Sequence, residues 1–128
     1  MPDPSAPLFD HLDTVVLRVA DCEAAVAWYG AALGLSPVCA DAAEGLAVLG
    51  LQGCALTLWQ HKPAATAAAG EAASAFPIFA TGDAAAARTA LEARGVRVGP
   101  LVKGDGMRFF LFLDLDGNRL EACQAMSG

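Results

Sequence analysis

Basic residues are scarce in this sequence. Only 8 Lys and Arg stand against 14 Asp and Glu, which gives a formal net charge of −6, and the basic residues are scattered without a cluster. Proteins that bind nucleic acid or anionic membranes present a concentrated basic patch to the phosphates. The sequence therefore predicts neither a nucleic-acid nor a membrane partner.

A long apolar run and a secretory leader pattern are also missing. The longest uncharged stretch, 45–61, is broken by Gly50, Gln52 and Gly53, which favours paired strands over a membrane span. The first seven residues are rich in proline and acidic, where a signal peptide would be basic and then apolar. We expect a cytoplasmic protein.

Several chemical signatures are absent as well. The four cysteines, Cys22, Cys39, Cys54 and Cys123, form no CxxC pair, and isolated cysteines in a reducing compartment are mostly small buried hydrophobes. No Ser/His/Asp or Cys/His arrangement and no glycine-rich phosphate loop is visible, so nucleophilic and nucleotide chemistry have little support.

What the chain does contain is enough apolar material for a core. It has 128 residues, 55% of them hydrophobic, and a mean hydropathy of +0.45. A chain of this length suits one compact domain, 1–128, rather than two.

The pattern of elements occurs twice. A strand over 13–19, a helix over 22–33 with Asp21 as its N-cap, and strands over 35–40, 46–51 and 54–60 form a first module, 13–60. After a linker, 61–75, a strand over 76–81, a helix over 84–94 capped by Asp83, and strands over 96–102, 107–113 and 118–124 form a second module, 76–124. Each module is too small to bury its own sheet well, so the two should pair around a shared interior.

A turn at 114–118 joins the last two strands. Asp, Gly and Asn supply the turn chemistry between two strand-like runs, which indicates a hairpin. Alternation in the outgoing strand then places Arg119, Glu121 and Cys123 on one face. Glu121 lies among apolar neighbours, where a carboxylate must be paired, coordinated or hydrated.

Two motifs carry a family resemblance. The run 15–21 leading into Ala27-Trp28-Tyr29 and 33–35, together with the run 114–121, is similar to members of the vicinal oxygen chelate superfamily, which includes glyoxalase I, extradiol dioxygenases, fosfomycin-resistance enzymes and bleomycin-resistance proteins. The resemblance implies an α+β fold in which two βαβββ modules form a curved mixed sheet with a concave cleft, with helices on the outer face, and it implies a homodimer.

The resemblance also implies four metal-ligand positions, which fall on Thr14, Thr57, Phe76 and Glu121. Only Glu121 matches the family's preference for His, Glu or Gln. One carboxylate with two hydroxyls and a phenyl ring is a poor donor set for a divalent ion, so we predict no metal and no other cofactor. His11 and His61 fall at no ligand position, and we expect solvated surface histidines.

The predicted cleft is apolar with a few polar groups, which is typical of a small-molecule pocket. Alternation leaves the contribution of the strand 107–113 open: either Phe109 and Leu111, or Arg108, Phe110 and Phe112. The ligand-binding residues that we predict are Thr14, Val16, Thr57, Trp59, Phe76, Ile78, Arg108 and Phe110. Ordinary core packing is an equal alternative for Trp59 and Phe76, and an internal partner such as Arg18, Arg108 or Arg119 is the alternative for Glu121.

The function predicted on this basis is metal-free binding or sequestration of a hydrophobic or aromatic small molecule by a glyoxalase/bleomycin-resistance-like homodimer. The alternative is a lyase, isomerase or dioxygenase of the same superfamily, either metal-dependent or using Glu121 as a general acid/base.

Overall fold

Two modules of the same element order make up the fold. The computed structural model describes residues 8, 11–61, 75–104 and 106–125. The elements are β1 (Thr14–Val19), α1 (Cys22–Leu33), β2 (Pro37–Asp41), β3 (Leu46–Leu49), β4 (Ala55–Gln60), β5 (Ile78–Ala80), α2 (Ala84–Ala93), β6 (Val102–Gly104), β7 (Met107–Leu113) and β8 (Arg119–Ala125). The predicted α+β class of two βαβββ modules is confirmed. Most of the predicted linker lies outside the described residues.

Each module forms one four-stranded mixed sheet. The strand orders are β1-β4-β3-β2 and β5-β8-β7-β6. The first and last strands of each module run parallel, and the remaining neighbours are antiparallel. The two sheets are therefore related by the internal repeat, and neither closes into a barrel.

Polar N-caps begin both helices, as the sequence predicts. Asp21 accepts a hydrogen bond from the backbone N–H of Ala24 at 3.2 Å, and Asp83 accepts one from Ala86 at 3.0 Å. Helix α1 ends at Gly34, whose φ of 72° lies in the left-handed region that glycine adopts without strain. These caps fix where each helix starts over its sheet.

Two strands of the second module are shorter or displaced relative to the prediction. Pro77 has no backbone N–H, and the regular ladder of β5 begins only after it, although the Pro77 carbonyl still accepts from Glu121 N at 3.1 Å. The predicted strand 96–102 does not form as a continuous strand, although Gly99 N–H donates to the Leu111 carbonyl at 2.7 Å. An isolated bridge joins Val98 to Phe112, and β6 pairs with β7 only further along.

The core lies between the sheets and the helices. Helix α1 packs on β3 and β4, and α2 packs on β7 and β8. The side chains between them are fully or nearly fully buried and include Tyr29, Leu56, Leu58, Phe110, Phe112 and Leu120. Burial of a side chain of this size stabilises the fold by roughly 1.5–3 kcal/mol.

Neither of the two described helices packs on the opposite faces of the sheets. We call these opposite faces together the helix-free face. Its members on the inner strands β1, β4, β5 and β8 are Thr14, Val16, Arg18, Ala55, Thr57, Trp59, Ile78, Ala80, Arg119, Glu121, Cys123 and Ala125. Neither described helix is long and apolar enough to cross a bilayer.

A buried polar network joins the two modules. Tyr29 of α1 donates its hydroxyl to Asp114 Oδ2 at 2.8 Å, and both side chains are almost completely buried. Asn118 Nδ2 donates to Asp114 Oδ2 at 2.9 Å and to the Arg18 carbonyl at 3.1 Å. Asp116 Oδ2 accepts the backbone N–H of Ala20 at 3.2 Å. The β7–β8 turn is thereby fixed against the end of β1.

Candidate functional site

The polar centre of the second module is an ion pair stacked on a ring. Arg119 Nη2 lies 2.9 Å from Glu121 Oε1, and the side chains are 38% and 12% exposed respectively. The Arg119 guanidinium carbon lies 4.0 Å from the centroid of the Phe76 ring. Arg119 Nε is buried and has no hydrogen-bond partner in the described part of the chain. Of the three internal partners considered for Glu121, the structure selects Arg119.

The first module carries a second arginine–aromatic pair. The Arg18 guanidinium carbon lies 5.0 Å from the centroid of the Trp59 ring, and its Nη2 donates to the Gln60 carbonyl at 3.2 Å. β1 and β4 are parallel and in register, with Arg18 opposite Trp59, so both side chains project from the same face. A cation over an aromatic face contributes about 0.5–2 kcal/mol, depending on how far it is desolvated.

Two threonines on the same face are hydrogen-bonded to each other. The hydroxyl oxygens of Thr14 and Thr57 are 2.7 Å apart, and Thr57 is buried. Val16, between them on the same face, is 45% exposed, and Ile78 in the second module is 57% exposed. The helix-free face thus presents accessible apolar surface around a few polar groups.

The hairpin register settles the contribution of β7. Leu111 lies opposite Glu121 and Phe109 opposite Cys123, so these two side chains belong to the helix-free face. Phe110 lies opposite Ala122 and is completely buried in the core, and Arg108 lies opposite Gln124 on that same side of the sheet. The register therefore places Arg108 and Phe110 on the helix side of the sheet, away from the other predicted ligand-binding residues. Both alternations along β7 are apolar, so periodicity alone could not choose between them.

The four family ligand positions do not fit a divalent metal. Thr14 and Thr57 are engaged with each other, Phe76 offers no lone pair, and one oxygen of Glu121 is taken up by Arg119. A guanidinium bonded to the single carboxylate opposes a second cation at the same place. In the described ranges no group of three or more His, Cys, Asp and Glu side chains is placed to hold a metal ion.

The histidines lie apart from these groups. His11 is exposed ahead of β1. His61 follows β4 and donates its backbone N–H to the Val19 carbonyl at 2.8 Å.

A cavity of about 560 Å³ lies elsewhere, between the start of α1 and the β2–β3 hairpin. Its walls include Cys22, Val26 and Ala47, which belong to the helix side of the first sheet. The carboxylates of Asp21 and Asp41 on its rim already accept backbone N–H groups of the helix cap and of the turn. This cavity shares no wall with the two arginine–aromatic pairs, and we place the candidate site on the helix-free face.

Two arginines of the helix-free face were not among the candidate site residues predicted from the sequence. Arg18 and Arg119 were considered only as partners for Glu121. The signal was present, since Arg119 and Glu121 are two residues apart in one strand and must share a face.

The architecture and the helix-free face define a protein of the paired βαβββ class. The family model for the Glyoxalase/Bleomycin resistance protein/Dioxygenase superfamily matches residues 11–122, and the chain belongs to this superfamily. A comparison with curated proteins returns no match.

Solved structures share the fold over nearly their whole length. A glyoxylase/bleomycin resistance protein/dioxygenase domain from Frankia sp. EAN1pec is 21% identical, with a TM-score of 0.75. The alignment covers 91% of this chain and 98% of that chain. TnmS3, an antibiotic binding protein from Streptomyces sp. CB03234, is 21% identical with a TM-score of 0.75, and the coverage is 94% and 99%. A protein from the mobile metagenome of V. Pseudocholerae is 28% identical with a TM-score of 0.71, and the coverage is 95% and 99%. At the identities of the first two, the likeness shows the fold alone.

Proposed function

We propose that this protein binds and sequesters a hydrophobic or aromatic small molecule, without a metal ion, on its helix-free face. The observation that carries the proposal is the Arg119–Glu121 ion pair stacked on Phe76, at two of the four positions where metal-using relatives hold their ligands. Because Arg119 neutralises the Glu121 carboxylate, the site lacks the donor set for a divalent ion, and it keeps an apolar, aromatic surface.

The surrounding surface supports the same proposal. Trp59 and Phe76, each with an arginine over one face of its ring, supply aromatic surface for a planar ligand, and Val16 and Ile78 expose apolar area on the same face of the sheets. The antibiotic binding protein TnmS3 has the same fold, which supports the proposal that this architecture holds a small molecule. Because the described sheets are open, we also propose that a second copy of the chain covers this face in a homodimer.

Tryptophan fluorescence tests the proposal directly. The chain has two tryptophans, Trp28 and Trp59, and only Trp59 lies on the helix-free face. In a Trp28→Phe variant, titration with the neutral probe 2-naphthamide should quench the remaining fluorescence with saturation. In the matched Trp59→Phe variant the remaining Trp28, packed on Tyr29 at 4.9 Å, should respond little.

The metal-free part is tested by elemental analysis. Protein purified without chelators should carry no stoichiometric divalent ion after dialysis. A bound ion that is retained through dialysis and lost in Glu121→Ala would overturn the proposal, and saturable quenching confined to Trp28 would move the site to another face.

A further inference from the structure

We propose that Arg18 and Arg119 determine the specificity of the site and select planar aromatic ligands that carry a carboxylate or a similar anionic oxygen group. The inference rests on the proposed function, since it names the ligand class of the same face. Its starting point is that each module supplies one guanidinium, and each guanidinium lies against an aromatic ring of that face.

The balance of charge on the face is the first argument. On its inner strands the charged members are Arg18, Arg119 and Glu121, so two cations stand against one anion in a protein whose net charge is −6. Glu121 compensates Arg119 at 2.9 Å. The polar partner that the structure gives Arg18 is a backbone carbonyl, which leaves one positive charge uncompensated by the described carboxylates of these strands. Asp41 of β2 shares this face, with two strands between it and β1, but its carboxylate accepts the backbone N–H groups of Ala43 and Glu44, so a singly charged anion is the partner that we assign to Arg18.

The geometry is the second argument. Each guanidinium carbon lies over an aromatic ring, at 5.0 Å for Arg18 and 4.0 Å for Arg119, and the planar N–H fork of an arginine matches the two oxygens of a carboxylate. The aromatic partner also removes rotamer freedom from the arginine before the ligand arrives, which lowers the entropy lost on binding. Arg119 is 38% exposed, so it is accessible to a ligand while it remains bonded to Glu121.

The module junction is the third argument. Asn118 Nδ2 donates to the Arg18 carbonyl at 3.1 Å, and Asn118 immediately precedes Arg119. The two arginines thus lie at the boundary between the sheets, one contributed by each module. The proposed ligand lies across this boundary, where Arg18 is near the end of β1 and Arg119 begins β8.

Three probes with one ring system test the inference: 2-naphthoate, 2-naphthamide and 2-naphthylmethylammonium, each titrated into the full chain with calorimetric and fluorescence readouts. We expect 2-naphthoate to bind more tightly than the amide by about tenfold or more, as charge-assisted hydrogen bonds require. The ammonium compound should bind most weakly. Arg18→Gln and Arg119→Gln should each remove most of the preference for the carboxylate and leave binding of the amide within about threefold.

Glu121→Gln should change the affinity for 2-naphthoate in the opposite direction from the two arginine variants. Removing the competing carboxylate should strengthen binding of 2-naphthoate while the amide changes little, whereas a residue that only maintained the fold would weaken both probes. Arg97→Gln, which removes an exposed arginine from the segment between α2 and β6, is the matched control and should leave all three affinities unchanged.

The outcomes separate the two proposals. If all three probes bind the wild type equally and the arginine variants do not change them, the binding function stands and the selection by Arg18 and Arg119 is wrong. Tightest binding of the ammonium compound, dependent on Glu121, also overturns the selection. If none of the probes binds at any accessible concentration, the specificity inference and the proposed aromatic site are both overturned.

Discussion

The hydroxyl of Tyr29 is both buried and close to the negative charge of Asp114. It donates to the Asp114 carboxylate, and burial, followed by the charge of Asp114 and this hydrogen bond, raises the pKa of Tyr29 far above its usual value. The neutral phenol is therefore the form that the folded protein favours, whereas in the unfolded chain it ionises at about pH 10. The stabilisation is fully present below that pH.

Above about pH 10 the free energy of unfolding should fall by up to about 1.4 kcal/mol per pH unit through this group, because only the unfolded chain releases the proton. Tyr29 is the only tyrosine, so the absorbance of tyrosinate reports it without interference. We expect that absorbance to appear together with unfolding. Tyrosinate forming near pH 10 in a protein that stays folded, or an equally steep pH dependence in Tyr29→Phe, would contradict this.

The cysteines should differ sharply in reactivity. Cys22 is buried at the start of α1, and burial, together with the charges of Asp21 and Glu23, raises the pKa of its thiol. Cys39 is exposed on β2. Because the thiolate is the reactive form, iodoacetamide should label Cys39 at least about tenfold faster than Cys22 in the folded protein.

Peptide mass spectrometry over a time course measures the two rates. In denaturant both thiols should react at similar rates, which serves as the control. Equal labelling of Cys22 and Cys39 under native conditions would show that the start of α1 opens on the timescale of the reaction.

At the scale of elements, the β7–β8 hairpin orders both the core and the candidate site. Its turn places Leu113 opposite Arg119, and every later pair follows from that register, including Leu111 opposite Glu121. The sequence contained this information in the turn at 114–118, but alternation in β7 alone is ambiguous because both of its faces are apolar. The register of a hairpin is better deduced from its turn than from periodicity.

The same turn couples the two modules, and a double-mutant cycle measures how strongly. Tyr29→Phe and Asn118→Ala each remove a donor to Asp114, and each should lower the free energy of unfolding by about 1–3 kcal/mol. Because the two donors share one buried carboxylate, the double variant should differ from the sum of the single variants by at least about 0.5 kcal/mol.

The N-cap of α2 provides the control for this cycle. Asp83→Ala removes a cap bond and should cost about 1 kcal/mol. Asp83 shares no described partner with Tyr29, so Asp83→Ala and Tyr29→Phe should be additive in urea unfolding. Additivity of Tyr29→Phe with Asn118→Ala instead would mean that the network does not act as one unit.

At the scale of the whole molecule, the sequence repeat predicted an architecture of two paired modules but not the contacts between the two modules. Recurring caps and strand runs reveal two modules because each run depends on local pattern. The contact of Asn118 with the Arg18 carbonyl depends on how two separate sheets meet, and residues a hundred positions apart in sequence give no local signal for it. The chemistry of Glu121 was likewise ambiguous until three-dimensional pairing selected Arg119 over Arg18 and Arg108.

The openness of both sheets leads to the last prediction, which concerns the oligomeric state. Ile78 projects from the helix-free face and is 57% exposed in the single chain. If a second copy covers this face, an unpaired carboxylate at that position would be buried in the interface. We expect sedimentation equilibrium to show a dimer for the wild type, and Ile78→Glu to raise the dimer dissociation constant by about 100-fold or more.

Val38→Glu is the matched control for this prediction, since Val38 is equally apolar and 70% exposed but lies on β2, the outer strand of the first sheet. It should leave the dimer intact, because a charge on a strand that stays in water costs little. Dissociation by Val38→Glu and not by Ile78→Glu would place the interface at the outer edge of the sheet, and the helix-free face would then be open to the ligand from solvent in every copy.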